Sequence, residues 1–237
     1  MFLKMLGAKE PKEVHPLIRE NNVFFNTLDQ NMPLSDYEFV VFDTELTGMN
    51  RKKDEIISIG AVRIRGLKII AGETFHTFVR PDSLEPRDST LIHRITPEQL
   101  EDAPAIAAIL DKFIEFCGNA LLVGHYVDLD VAFVNRAAKR ILGGVMRNPC
   151  LDTMRLSQAY TAMCWEQYHD RFNLQVSYNL ADLVKTYGLP EFSKHDALED
   201  ALQTAYLFLY LVKNIHKHGY HTLKELFSAG RAGLSFF

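Results

Sequence analysis

Apolar residues in the first half of the chain form short runs separated by polar turns. The run over residues 37–42 is rich in β-branched and aromatic residues and predicts a buried strand. Two further runs, over 56–64 and 74–79, predict the next two strands. The short connections between the three strands indicate an antiparallel meander. The core is therefore expected to be built on a sheet.

In the second half, apolar residues recur every three or four positions, which is typical of helices that bury one face. Thr96 followed by Pro97 predicts a helix start. The longer predicted helices lie over 104–117, 129–142, 180–187 and 196–215. Short strands are predicted over 121–123 and near 150–153, the second leading into a helix, and 160–176 is predicted to be an irregular insert. This order predicts an α/β fold with a mixed five-stranded sheet flanked by helices.

Two segments flank this pattern. We predict an N-terminal extension over 1–36, a central domain over 37–215 and a polar C-terminal tail over 216–237 with a short helix near 223–227. The extension is predicted to pack on the domain through an amphipathic helix. The apolar residues expected near one face of that helix are Leu17, Val23, Phe24 and Leu28.

Composition and charge limit the function classes. The 237 residues are 47% hydrophobic and 24% charged, which is typical of a soluble globular chain. The formal net charge of −4 gives no overall basic field for nucleic acid, although a local basic groove or bound metal ions would provide one. Cys117, Cys150 and Cys164 are far apart and show no metal-site spacing, so we expect reduced thiols. No apolar run approaches ~20 residues and no signal peptide is recognised, so we expect a cytoplasmic protein that does not enter the membrane.

Candidate chemistry begins at the end of the first strand. Asp43 and Glu45 are two positions apart, so their side chains leave the same face of a strand. Two carboxylates on an apolar strand are costly to bury unless a cation lies between them, and hard oxygen ligands suit Mg²⁺ or Mn²⁺. The alternative is that the strand ends at Phe42 and that both acids are solvated.

Further acids lie at two helix starts. Asp128 suits the N-cap of the helix that follows, and Asp130 in the first turn favours the helix dipole. Asp200 lies in the first turns of the last long helix, and His195 precedes it. Five residues on a helix turn about 140° beyond one revolution, so these two share a site only if His195 lies on the preceding loop. His125 either supports the site or is satisfied within the core.

These residues match three motifs. The first motif is D-x-E followed by Thr-Gly, in Asp43-Thr44-Glu45-Leu46-Thr47-Gly48. The second is His-x4-Asp, from His125 to Asp130, with Phe133 three residues further on. The third is H-x-A-x-x-D, formed by His195, Ala197 and Asp200. In this order and spacing the chain resembles the DEDDh branch of the DnaQ-like 3′–5′ exonucleases, which includes proofreading epsilon subunits of bacterial DNA polymerase III. The resemblance covers about residues 37–215. Tyr126 stands where the family often has Asn, and Arg94 replaces the usual Gly.

The resemblance implies a ribonuclease H-like fold and a two-metal phosphodiester hydrolase. Asp43, Glu45 and Asp200 would hold two Mg²⁺ or Mn²⁺ ions, Asp130 would act directly or through water, and His195 would be the general base. The chain would release nucleoside 5′-monophosphates from a single-stranded or frayed 3′ end. The implied substrate contacts are Thr44, Leu46, Thr47, Ile92 and His93. Activity is expected to fall at low pH, as ligands and imidazole are protonated.

Three alternatives remain open at this stage. The first is an exonuclease that acts on DNA, in proofreading or repair, and the second is an exonuclease that acts on RNA 3′ ends. The motifs do not separate these two, because they do not read the 2′-hydroxyl. The third alternative is a binding module for nucleic acid or polymerase without catalysis, but a degenerate copy would lack an acid or the histidine. The end of the tail, residues 231–237, either docks on its own domain or enters a sliding-clamp groove, since Leu234-Ser235-Phe236-Phe237 is similar to clamp-binding peptides.

Overall fold

A mixed five-stranded sheet forms the centre of the computed structural model, which describes residues 13–85, 93–166, 176–192 and 196–232. The strands in chain order are β1 (Glu38–Leu46), β2 (Ile56–Arg65), β3 (Lys68–Phe78), β4 (Leu121–Gly124) and β5 (Cys150–Asp152). Their order across the sheet is β3-β2-β1-β4-β5. The first three pair antiparallel, whereas β4 runs parallel to β1 and β5 parallel to β4. The predicted α/β class, strand number and meander are confirmed.

Helices cover both faces of this sheet. In chain order the described helices are α1 (Pro16–Phe25), α2 (Pro97–Glu101), α3 (Leu110–Cys117), α4 (Asp128–Leu142), α5 (Thr153–Glu166), α6 (Leu180–Tyr187), α7 (Ala197–His216) and α8 (Leu223–Ala232). As predicted, Thr96 caps α2 in a capping box with Gln99 and Pro97 stands at its first position. No helix in the described part of the chain is both long and apolar enough to cross a membrane.

Strand β1 is buried on both faces, which explains its uninterrupted apolar run. Phe39 packs on Phe208 of α7, with ring centroids 5.0 Å apart, on one face of the sheet. Phe42 packs on Phe113 of α3, at 5.6 Å, on the other face. Fully burying an aromatic side chain of this kind stabilises the fold by about 1.5–3 kcal/mol. The two cores therefore fix β1, and with it the acids at its end.

Several predicted boundaries were wrong. Strand β3 begins at Lys68 and not near residue 74, because it is a largely exposed edge strand without a continuous apolar signal. Helix α5 continues to Glu166 through part of the predicted irregular insert. The predicted helix over 104–117 is interrupted, since a short 3-10 segment, Ile106–Ala108, precedes α3.

The flanking segments pack on the sheet layers. Ile18 of α1 is fully buried, but Val23 and Phe24, which were predicted near the buried face, are 69% and 40% exposed. Helix α8 is longer than predicted, and its Leu223 and Leu226 are buried. The boundaries of extension, domain and tail stay predictions, and residues 233–237 lie outside the described part.

Candidate active site

Three carboxylates from two elements converge at the end of β1. Asp43, Glu45 and Asp200 each offer one oxygen, and these oxygens all lie within 4.8 Å of one another. Asp43 and Glu45 meet because the side-chain period of a strand is two. Asp200 joins them from the first turn of α7, whose N-cap is Asp196: the Asp196 Oδ1 atom accepts hydrogen bonds from the backbone N–H groups of Leu198 and Glu199 at 3.0 and 3.1 Å.

A glycine allows α7 to approach the sheet. Gly60 of β2 lies opposite Asp43 in the ladder. A Cβ atom at Gly60 would lie 2.1 Å from both the carbonyl carbon of Ala197 and the backbone nitrogen of Leu198. The start of α7 therefore lies directly on β2, which brings Asp200 next to the β1 acids.

Asp130 lies beside this cluster and is held by β1. Its Oδ1 atom accepts hydrogen bonds from the backbone N–H of Thr44 at 3.1 Å and from the Thr44 hydroxyl at 2.5 Å. Asp130 is buried, although it stands in the first turn of α4. The expected helix-dipole interaction alone does not explain this burial, whereas the bonds to Thr44 satisfy one carboxylate oxygen of Asp130.

The electrostatics of the cluster are unfavourable without a counter-ion. Burial, followed by the charges of Asp130, Asp200 and Glu45, raises the pKa of Asp43 well above its usual range. Burial and the charges of Asp200 and Asp130 raise the pKa of Glu45 to about 7. The pKa of Asp130 is also raised by burial, although its hydrogen bonds with Thr44 act in the opposite direction. A cation would relieve all of these shifts.

The donor set fits a divalent cation. Its atoms are carboxylate oxygens, which are the ligands that hard cations such as Mg²⁺ and Mn²⁺ prefer. Among the described residues, three or more potential metal ligands come together in this acidic group. The group contains no cysteine or histidine that would suit a structural zinc ion.

We expect the Glu45 carboxylate to destabilise the metal-free protein as pH rises. Its folded-state pKa of about 7 lies above the unfolded value of about 4.3, so the folded state binds more protons between these values. The free energy of unfolding of the wild type should therefore fall, relative to that of Glu45→Gln, as pH rises from 5 to 8 in EDTA.

Denaturant unfolding of both proteins across this pH range measures the difference. The comparison of the two proteins also removes the contribution of His125. Burial lowers the pKa of His125 to about 4, so this residue makes the protein more stable as pH rises, equally in both proteins. A wild type that gains stability relative to Glu45→Gln toward pH 8 would contradict the prediction.

The predicted substrate contacts that the structure describes are buried or partly buried. Thr44 and His93 are both buried, and His93 Nδ1 accepts a hydrogen bond from the backbone N–H of Ile95 at 3.0 Å. Leu46 is partly buried against the core. Thr47 and His93 line one small pocket beside Ile57. Their substrate roles stay predictions, and two further predicted site residues, Ile92 and His195, lie outside the described residues.

Two nearby polar residues have structural roles. His125 is satisfied within the core, because its Nδ1 lies 2.8 Å from Thr153 Oγ1 and its Nε2 lies 2.9 Å from the carbonyl oxygen of Tyr178. The prediction of Asp128 as the N-cap of α4 was wrong: Val127 occupies that position, and Asp128 forms an ion pair with Arg155 at 2.6 Å.

The family model of the RNase_T exonucleases matches residues 40–208, a span that includes most of β1, all of β2 and α4, and the start of α7. This span contains all three carboxylates of the cluster. The chain belongs to this exonuclease family. The fold, the acidic cluster and the family match agree with the resemblance found in the sequence motifs.

Named relatives of this exonuclease domain are DNA polymerase III proteins. The chain is 34% identical over 197 residues to the DNA polymerase III subunit epsilon of Aquifex aeolicus, covering 81% of this chain and 91% of the relative. It is 37% identical over 189 residues to the PolC-type DNA polymerase III of Caldanaerobacter subterraneus, covering 80% of this chain. The chain spans only 12% of that much longer PolC-type relative.

Solved structures with the same fold are also nucleases. Exonuclease X in complex with 5′ overhanging duplex DNA has a TM-score of 0.57 at 23% identity, over 81% of this chain and 99% of that one. Escherichia coli exonuclease I in complex with a dT13 oligonucleotide has a TM-score of 0.63 at 20% identity, over 76% of this chain and 42% of that one. At these identities the likeness shows the shared ribonuclease H-like fold.

The two departures from the family motifs are strained in this exonuclease domain. Tyr126 and Arg94 have φ angles of 59° and 57°, in the left-handed region that Asn and Gly adopt more readily. These are the positions where the family often has Asn and Gly. Tyr126 is held there by its backbone N–H, which donates to Asp152 Oδ1 at 3.1 Å.

Replacing Tyr126 by asparagine should stabilise the protein. Asn tolerates a positive φ better than Tyr. The half-exposed Tyr126 ring would lose one edge contact, with the ring of His125 at a centroid distance of 4.9 Å. We expect a gain of about 0.5 kcal/mol in the free energy of unfolding, measured by urea titration, because the relief of about 1–2 kcal/mol of left-handed strain exceeds the loss of the ring contact. Tyr126→Phe serves as the control, since it keeps the strain and should leave the stability nearly unchanged. A less stable Tyr126→Asn would contradict the assignment of strain.

Proposed function

We propose that the chain is a divalent-metal-dependent 3′–5′ exonuclease that hydrolyses single-stranded or frayed DNA ends and releases nucleoside 5′-monophosphates. The observation that carries the proposal is the convergence of Asp43, Glu45 and Asp200 in a chain of the exonuclease family. The names of the relatives, subunits and types of DNA polymerase III, favour DNA over RNA as substrate.

The metal-binding residues in this proposal are Asp43, Glu45 and Asp200, with Asp130 as a further ligand or as the partner of a bound water. Bound Mg²⁺ or Mn²⁺ would supply charge stabilisation at the phosphate and a water of lowered pKa. The carboxylates would hold that cation next to the scissile phosphate. In their ionised form and without metal, they give the site a negative charge that repels DNA. Metal binding is thus also a condition for substrate binding.

Proton transfer and positioning fall to other side chains. His195, which immediately precedes the Asp196 cap of α7, is proposed as the general base that takes the proton of the attacking water. Thr44 keeps Asp130 oriented through two hydrogen bonds, so its hydroxyl acts as a positioning group. Leu46, Thr47, Ile92 and His93 are proposed to contact the terminal nucleotides.

A degradation assay with labelled oligonucleotides tests this function. Single-stranded DNA and RNA of one sequence, each carrying a 5′ label, are incubated with Mg²⁺, Mn²⁺ or EDTA. We expect a ladder that shortens from the 3′ end on DNA, no products in EDTA, and none with Asp200→Asn. Faster shortening of the RNA than of the DNA would identify RNA as the substrate. If neither oligonucleotide is shortened with any metal, the enzymatic function is contradicted.

Association with a replicative polymerase in the cytoplasm is proposed from the same relatives. The epsilon subunit of Aquifex aeolicus matches over 91% of its length and is named as part of DNA polymerase III. Whether residues 233–237 bind a sliding clamp is tested by deleting them and measuring clamp binding, and unchanged binding would remove the tail from this proposal.

A further inference from the structure

The loop between β1 and β2 carries a run of three cations, a few residues after the two acids of β1. Arg51, Lys52 and Lys53 are consecutive and exposed. The loop leaves β1 directly after the strand that holds Asp43 and Glu45, and it returns at the start of β2. Residues 48–54 are called the basic loop below.

Two hydrogen bonds between Thr47 and Glu55 close the stem of the basic loop. The N–H of Thr47 donates to the carbonyl oxygen of Glu55 at 2.9 Å, and the N–H of Glu55 donates to the hydroxyl of Thr47 at 2.9 Å. Inside the loop, the N–H of Asn50 donates to Asp54 Oδ2 at 2.8 Å. A Cβ atom at Gly48 would lie 2.4 Å from the same carboxylate oxygen, so the glycine permits this tight arrangement.

An arginine from the neighbouring acid-bearing helix braces the loop. Arg136 of α4 donates to the carbonyl oxygen of Arg51 at 2.5 Å and to the carbonyl oxygen of Asp54. Its guanidinium also lies over the ring of Phe133, 4.9 Å from the centroid. Because the backbone is fixed at both ends and at the tip, little conformational entropy remains to be lost when the loop binds a ligand.

No acid among the described residues neutralises the three cations. Within the described residues, no ion pair engages the side chains of Arg51, Lys52 or Lys53. The chain has a net charge of −4, and its proposed active site is itself acidic. A polyanionic substrate therefore needs a local positive surface near the site, and the basic loop provides one at the same edge of the sheet.

We propose that the basic loop binds backbone phosphates of the strand whose 3′ end enters the acidic cluster. The inference rests on the proposed function and deepens it, since it assigns strand-holding residues to that site. Contacts of this kind position the strand without reading its sequence. They also make binding salt-dependent, because each neutralised phosphate releases condensed counter-ions.

The test compares two triple variants that carry the same change in net charge. In the first, Arg51, Lys52 and Lys53 are all replaced by Gln. In the matched control, the exposed residues Lys213, Lys217 and Lys224 are replaced by Gln. Lys213 lies about 20 Å along α7 from Asp200 at 1.5 Å per residue, so the control changes the charge far from the site.

Binding is measured by fluorescence anisotropy with a 5′-fluorescein oligothymidylate in Mg²⁺, from 50 to 300 mM NaCl. Phosphorothioate linkages at its 3′ end slow hydrolysis during the measurement. Single-strand phosphate contacts contribute about 0.7 each to the slope of log K against log salt, so the loop variant should have a slope shallower by about 2. The control variant should keep the wild-type slope.

A loop variant with the wild-type slope would overturn the inference, as would an equal loss of slope in both variants, which would indicate a general effect of net charge. Failure of the proposed function is seen separately. It would appear as absence of 3′ shortening of the unmodified oligonucleotide by the wild type, whatever the binding slopes are.

Discussion

Replacing Asp43 by asparagine is expected to abolish hydrolysis and, at the same time, to stabilise the metal-free protein. Asp43 has three carboxylate neighbours and a pKa raised by burial and by their charges. Asn keeps the shape and removes the charge, so the repulsion disappears together with a metal ligand. We expect at least a ~10³-fold loss of kcat, since a metal supplies several kcal/mol of transition-state stabilisation.

Melting curves at pH 8 in EDTA measure the second effect. The Tm of Asp43→Asn should exceed that of the wild type by about 3 °C, the shift that ~1 kcal/mol produces in a chain of this size. Addition of Mg²⁺ should raise the Tm of the wild type and not that of the variant, because a ligand stabilises only the state that binds it.

Asp36→Asn is the matched control, since it makes the same chemical change at an exposed position. It should leave the activity and the Mg²⁺ response unchanged. An Asp43→Asn variant that keeps both the hydrolysis and the Mg²⁺-dependent rise in Tm would remove Asp43 from the metal site.

Replacing Gly60 by alanine is expected to impair both stability and activity. The added Cβ would meet the backbone of Ala197 and Leu198 at 2.1 Å, and backbone atoms cannot rotate away. The start of α7 must move off the sheet, which should cost about 2–3 kcal/mol in the free energy of unfolding. Asp200 moves with it, and a displacement of about 1 Å is sufficient to reduce kcat by about 10²-fold.

Denaturant titration and kinetics well below the melting temperature separate the two effects. Gly230→Ala in α8 is the control, because the Cβ there would meet only Leu156 at an ordinary 3.7 Å. A glycine-to-alanine change inside a helix should be neutral or stabilising by up to ~1 kcal/mol. A Gly60→Ala protein with wild-type kcat would show that the contact with α7 does not position Asp200.

The sequence predicted the parts of the site that follow from local periodicity. Asp43 and Glu45 share a face because strands repeat every two residues. The turn before Asp200 and the apolar run after it predicted a helix start there. Strands β1 and β2 were predicted because their burial gives continuous apolar runs. Strand β3 was predicted only in part, since its exposed edge gives no such run.

Other features depend on how elements dock and have no local signal. Gly60 has its role only because α7 crosses β2 at that residue. Arg136 braces the basic loop from a helix that lies far along the chain. The N-cap of α4 was misplaced because Asp128 forms an ion pair with Arg155 of another helix, a partner that the local sequence does not reveal. Tertiary contacts of this kind override local preference.

The order in which the acids are synthesised has a consequence in the cell. Asp43 and Glu45 lie near the end of β1, whereas Asp200 and the helix that packs on Gly60 come from the far end of the predicted central domain. At ribosomal speeds of about 5–20 residues per second, α7 emerges roughly 8–30 s after β1. A nascent chain therefore carries only part of the acidic cluster, and its capacity to degrade nucleic acid arises only when synthesis of the domain is nearly complete.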